Sequence, residues 1–162
     1  MRTSRVSVSV RVRARAEDVW AALTDWESQG AWMTATTVRT VGGDGRGVGG
    51  RIEAFTGFGR LGFLDTMEVT EWRPPTWCLV RHTGRVVRGT GAFEIVPAAA
   101  AAADGAAGCT LTWFEDLEIP GGGFGAFAFV LIRPAVEFGV LHSLKRLAGL
   151  VESRGQDPTA AP

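Results

Sequence analysis

Few side chains in this sequence suit covalent or proton-transfer chemistry, and their spacing narrows what they can do. There are two histidines, His82 and His142, and two cysteines, Cys78 and Cys109. Cys78 and His82 stand four residues apart in a segment of strand character, which at ~3.3 Å per residue separates them by about 13 Å along one face. They cannot share a metal ion, and no metal site is expected. There is no Gly-x-Ser-x-Gly elbow, and His142 falls on the solvent side of a helical pattern, so a serine triad has little to build on. The run Gly45-x-Gly47-x-x-Gly50 has the form of a dinucleotide fingerprint, but it leads into Arg51-Ile52-Glu53-Ala54-Phe55, a strand pattern. Nucleotide binding needs a helix N-terminus at that point. Gly42 to Gly50 therefore reads as a flexible hairpin connection, and no cofactor is expected. Acid–base chemistry remains. A histidine or carboxylate in a low-dielectric cavity can be tuned towards neutrality and exchange protons with an enolisable ligand, which is all that aldol cyclisation and dehydration require.

The elements that must position such groups follow from composition and periodicity. With 162 residues, 46% hydrophobic and 21% charged, the chain suits one domain over 1–162, with a core at about 5–153 and a disordered tail over 154–162. Seventeen basic residues balance seventeen acidic ones, so no global field favours a phosphate backbone or an anionic membrane, and nucleic acid is not an expected partner. The two cysteines, and an N-terminus that alternates where a signal peptide would be continuously apolar, predict a cytoplasmic protein. The longest apolar run, Phe124 to Ile132, has nine residues, against the roughly 20 that span a bilayer. No membrane span is expected.

Val6, Val8, Val10 and Val12 alternate with polar residues as in a half-buried strand. Ala16 to about Asp25 has acids ahead of apolar residues, as a helix start should, and Trp26 to Trp32 reads as a second short helical piece. Strand patterns follow at Thr36 to Val41, Arg51 to Phe58, Leu61 to Trp72, Thr76 to Thr83, Val87 to Val96 and Thr110 to Ile119. Ala98 to Gly108 is a low-complexity connection, and Pro120 to Gly123 a breaker. Ile119 to Phe129, with three consecutive glycines and several phenylalanines, is expected to form a mobile lip over an apolar opening. Pro134 to Arg154 carries the long helical pattern. At 100° steps Val136, Val140, Leu141, Leu144, Leu147, Ala148 and Val151 share one stripe, and Glu137 falls inside it. Either Glu137 faces an internal wet pocket or the first turns overhang the sheet and leave it solvated.

The order strand, two short helices, six-stranded meander and long C-terminal helix is that of the helix-grip fold. Local words fit as well: Ala16-Glu17-Asp18-Val19-Trp20, Leu23-Thr24-Asp25 and Trp32; Gly47-Val48-Gly49; Val69-Thr70-Glu71-Trp72-x-Pro74-Pro75; Cys109-Thr110-Leu111-Thr112; and Leu144-Lys145. From about residue 5 to 153 the chain resembles the SRPBCC (START-like) superfamily, in its polyketide cyclase/dehydrase-like branch. The resemblance implies an α+β fold in which a curved antiparallel sheet of about seven strands wraps around a long C-terminal helix, with two short helices after the first strand and a hydrophobic cavity between sheet and helix. It does not imply one function.

If Val69 points inward, alternation sends Phe63, Asp65 and Met67 inward with it. The family-like register places Cys78, Val80 and His82, then Leu111, Trp113 and Glu115, on the same side, with Phe93 and Ile95 from the strand between. Trp32 and Leu141 complete a mostly apolar and aromatic lining in which Asp65, His82 and Glu115 are isolated polar groups, with Glu137 added from the helix; these four are the candidate acid–base groups. Three readings stay open: a binder of a small hydrophobic, partly aromatic or polyketide-like molecule, a cyclase/dehydrase-type enzyme, and a protein-interaction module.

Overall fold

The computed structural model describes residues 2–98, 108–119 and 122–155. Seven strands form one antiparallel sheet: β1 (Arg2–Val12), β2 (Thr36–Thr40), β3 (Arg51–Phe58), β4 (Leu61–Arg73), β5 (Trp77–His82), β6 (Gly89–Pro97) and β7 (Cys109–Ile119), in the spatial order β1-β7-β6-β5-β4-β3-β2. Between β1 and β2 lie α1 (Ala16–Leu23) and a 3-10 turn over Trp26–Ala31; α2 (Gly122–Gly155) closes the chain and packs chiefly along β1. This is the helix-grip architecture.

The cross-strand register fixes the concave face. Val6, Val8 and Val10 on β1 pair with Glu115, Trp113 and Leu111 on β7, which pair in turn with Gly91, Phe93 and Ile95 on β6. Cys78, Val80 and His82 on β5 face Phe93, Gly91 and Gly89, and Val69 and Met67 on β4 face Val80 and His82. A bulge between Val69 and Glu71 shifts the register. It lets both Val69, in the buried core cluster, and Trp72, packed against it, turn to the same face, where Trp72 meets Trp20 edge-on at 4.9 Å between ring centroids.

Four expectations are corrected. α2 starts at Gly122, twelve residues before Pro134, and Pro134 lies inside it. Proline leaves the carbonyl four residues back without its donor, but that residue, Val130, is 64% exposed and water can serve it. The lip expected over Ile119 to Phe129 therefore has a helical backbone from Gly122 onward, while Pro120 and Gly121 lie outside the described residues. The expected tail enters α2 as far as Gly155; 156–162, and most of the Ala98 to Gly108 connection, lie outside the described residues. The glycine-rich connection is a fitted turn: Trp26 Nε1 donates to the Gly45 carbonyl at 3.0 Å. Gly45 has φ +67°, and a β-carbon there would stand 2.8 Å from Thr40 Cγ2, so glycine is required by packing and not by a phosphate.

The stripe of α2 is buried only towards its C-terminal end, where Leu144 and Leu147 reach 0% and 1% exposure. Val130, Leu131 and Ile132 are successive positions that point around the helix, and all are exposed. No helix among the described residues is long and apolar enough to cross a membrane.

Candidate functional site

On the concave face, His82 stands between two carboxylates, one from the adjacent strand β4 and one from β7, two strands away. Its Nδ1 lies 2.8 Å from Asp65 Oδ2, and its Nε2 3.1 Å from Glu115 Oε2. The other oxygen of Glu115 accepts the indole N–H of Trp113 at 2.7 Å. Asp65 reaches from β4 and Glu115 from β7. Glu115 can cross β6 to His82 because the intervening position is Gly91: a β-carbon there would stand 2.9 Å from Glu115 Oε1. Gly91 was not singled out in the sequence, although a glycine inside a strand pattern is a signal of close approach by a neighbouring group.

Ionised carboxylates only accept hydrogen bonds, so with both of them engaged each ring nitrogen of His82 donates, and the ring is an imidazolium. Burial of the ring opposes that charge, but the hydrogen bonds to Asp65 and Glu115, with the attraction of the two carboxylates, outweigh it and push the His82 pKa up from 6.5 to about 9. The side chains of Asp65 and Glu115 are 11% and 14% exposed against 4% for His82, so all three members of the cluster are largely buried. Asp65 Oδ1 has no hydrogen-bond partner among the described residues, and neither does the indole N–H of Trp32. Because Asp65 and Glu115 sit on opposite ring nitrogens, the three groups do not converge on one point that an ion could occupy.

The other expected site residues divide. Phe63, Met67, Trp113 and Leu141 keep partly open surface beside or beyond the cluster, and Trp113 packs between Trp32 and Phe93, with centroid distances of 6.5 and 5.0 Å. Trp32, Cys78, Val80, Phe93, Ile95 and Leu111 are buried members of the core cluster. Burial also pushes the Cys78 thiol up to about 12, which leaves it inert as a nucleophile. Glu137 does not join the site: Arg133, one turn back on α2, donates to it at 2.7 Å on the exposed surface. The stripe that contains Glu137 is not covered there, so the overhang account holds.

A crevice of about 340 Å³ lined by Arg81, His82, Thr83, Gly84, Arg88 and Glu118 reaches His82 from the β5–β6 turn. A larger groove of about 660 Å³ runs between α1 and the end of α2; it is a mixed-charge furrow away from the cluster.

Over residues 3–152 the sequence matches the family described as polyketide cyclase/dehydrase and lipid transport. No curated protein sequence matches it significantly. Among solved structures, it is similar to the Zhui aromatase/cyclase from Streptomyces sp. R1128, with a TM-score of 0.77 and 17% identity over 99% of this chain and 100% of that one. It is also similar to TTHA0849 from Thermus thermophilus, with a TM-score of 0.71 and 18% identity over 94% and 100% of the two chains. The di-domain ARO/CYC BexL of the BE-7585A biosynthetic pathway gives a TM-score of 0.70 and 17% identity, with 95% of this chain covering 48% of that one. At such identities the likeness shows the fold.

Proposed function

The chain belongs to the polyketide cyclase/dehydrase and lipid transport family, whose membership supports a ligand-binding or cyclase role, and on that footing we propose an acid–base enzyme. It binds a small hydrophobic, partly aromatic, polyketide-like molecule against the concave face and promotes its cyclisation and dehydration. The observation that carries this reading is His82 held between Asp65 and Glu115 on a face where Met67 and Trp113 are only partly buried and Phe63 is 39% exposed.

In this reading the roles follow from charge. With its pKa near 9, His82 is protonated at neutral pH and acts as the acid, so the base is a carboxylate. Asp65 has a buried oxygen with no partner, which a ligand entering beside it would have to uncover, whereas Glu115 is committed to His82 and Trp113. Asp65 takes a proton from the carbon between two carbonyls of the ligand, and the enolate carbon attacks a second carbonyl. The resulting alkoxide is protonated at the expense of the imidazolium, and loss of a further α-proton with the hydroxyl releases one water.

The test uses a linear aryl triketone as probe, with binding followed by tryptophan fluorescence and ring formation by absorbance. His82→Gln should lower turnover by about 100-fold or more, the share of a general acid–base group, with affinity nearly kept. Equal turnover in the two proteins would overturn the enzyme reading. The second reading, a carrier, is favoured by the fact that both nitrogens of His82 are already engaged. For a carrier the probe binds saturably without turnover, and the same substitution changes affinity by about 1 to 3 kcal/mol or less.

A further inference from the structure

We propose that the end of the sheet carrying the β3–β4 and β5–β6 turns docks on an anionic bilayer surface, with apolar tips in the interface and arginines at the lipid phosphates. In the β3–β4 turn Phe58 and Leu61 are 79% and 84% exposed, and in the β5–β6 turn Val86 is 66% exposed. Both turns project from one end of the sheet, since Thr83, which opens the second, donates its N–H to the Thr66 carbonyl of β4 at 2.7 Å. Isolated exposed apolar residues are common on protein surfaces. Here they sit on the tips of neighbouring turns.

Charge decides what they meet. The stretches 57–63 and 83–90 contain Arg60, Arg85 and Arg88 and no Asp or Glu. None of the three arginines makes an ion pair among the described residues. Glu118, across the crevice from Arg88, is the acid set against them. The net charge of zero leaves no global field to draw the chain to a membrane, so the attraction has to be local, from these three of its seventeen basic residues beside the apolar tips. Guanidinium groups beside apolar side chains match the boundary between lipid phosphates and acyl chains. A rigid acidic partner protein would need a continuous flat patch, while a fluid interface moulds itself around separate protrusions.

The geometry also gives docking a consequence. Phe63, on the inner wall, lies two positions from Leu61 and two from Asp65, so the docked turn would hold the open end of the concave face against the bilayer. An amphipathic molecule could then pass between membrane and protein without crossing water. The proposal stands whether or not the cluster at His82 is catalytic.

Flotation of the full chain with vesicles of phosphatidylcholine, alone or mixed with phosphatidylglycerol, tests it. The chain should float with the mixed vesicles, less so as salt is raised. Leu61→Asp and Arg60→Glu should each weaken partitioning by about tenfold or more. Val48→Asp, at a residue 72% exposed in the β2–β3 connection at the far end of the sheet, should leave it unchanged. Failure to float, equal flotation with neutral vesicles, or matching behaviour of Leu61→Asp and Val48→Asp would each overturn the proposal. If Leu61→Asp lost its circular dichroism spectrum, Phe58→Asp would answer in its place.

Discussion

The concave face has two ends that differ although the same strands run through both. At the closed end the inward positions carry Val12, Cys78, Ile95, Cys109 and Leu111, none more than 3% exposed. The C-terminal half of α2 is tied down over them: Arg146 donates to the Ala31 carbonyl at 2.7 Å, Ser143 Oγ accepts the Thr34 N–H at 3.3 Å, and Glu152 accepts the Arg13 N–H at 2.8 Å. At the open end β4, β5 and β7 present Asp65, His82 and Glu115, and the side-chain bond of α2 there, Arg133 to Glu137, is internal to the helix. One end thus supplies stability through apolar burial. The other holds polar groups that are costly to desolvate, and it can do so because the scaffold is secured elsewhere.

The largest effect expected from this division is in the core. Leu144→Ala or Leu111→Ala, each at 0% exposure, should cost about 2 to 5 kcal/mol in urea denaturation, whereas Phe63→Ala, at a residue 39% exposed, should cost less than about 1 kcal/mol. Similar losses at Phe63 and Leu144 would mean one continuous core, and the contrast would fail.

Next in size is a pH effect confined to the open end. Folding raises the His82 pKa from 6.5 to about 9, so the folded state binds that proton more tightly than the unfolded chain. The stabilisation is fully present below pH 6.5 and is lost as pH rises through about 9, in total on the order of 3 kcal/mol. His82→Gln should flatten this slope, and Leu144→Ala should leave it intact while lowering the whole curve. A wild-type stability profile that is level across that window would show that the cluster is not assembled as described.

How much of this was legible in the sequence depended on where irregularities fall. Alternation counted back from Val69 turns Asp65 inward because the β4 bulge lies after Val69; one placed before it would have reversed the face. The helix-grip order and the shared face of Asp65, His82 and Glu115 were open to the sequence, the last two through the family-like register; that the three touch was not, since periodicity says which side chains share a surface but not that Gly91 lets Glu115 reach across β6. Glu137 was not, because a helical wheel shows that residues share a stripe but not how far along the helix that stripe is covered. Pro134 misled for a related reason. Proline is favoured in the first turn of a helix, and only the exposure of Val130 reveals why this helix runs through it.

The smallest expected effect probes the notch that lets the cluster form. A β-carbon at Gly91 would approach Glu115 Oε1 to 2.9 Å and Oε2 to 3.2 Å, and these atoms end a flexible side chain, so in Gly91→Ala the carboxylate swings aside while the backbone stays. The loss in stability should be about 1 kcal/mol, that of one exchanged hydrogen bond. The titration of His82 should respond more clearly. Without Glu115 at Nε2, the ring keeps its burial but only one of the two carboxylates that oppose it, so its pKa should fall from about 9 towards 6.5. Proton NMR of the His82 ring across pH measures this directly, and the shift should appear although no titratable group has been changed. A midpoint left where it was would mean that Glu115 reaches His82 by another path and that the glycine is incidental. A fall would identify the missing side chain on β6 as the feature that joins β5 to β7 across the open end.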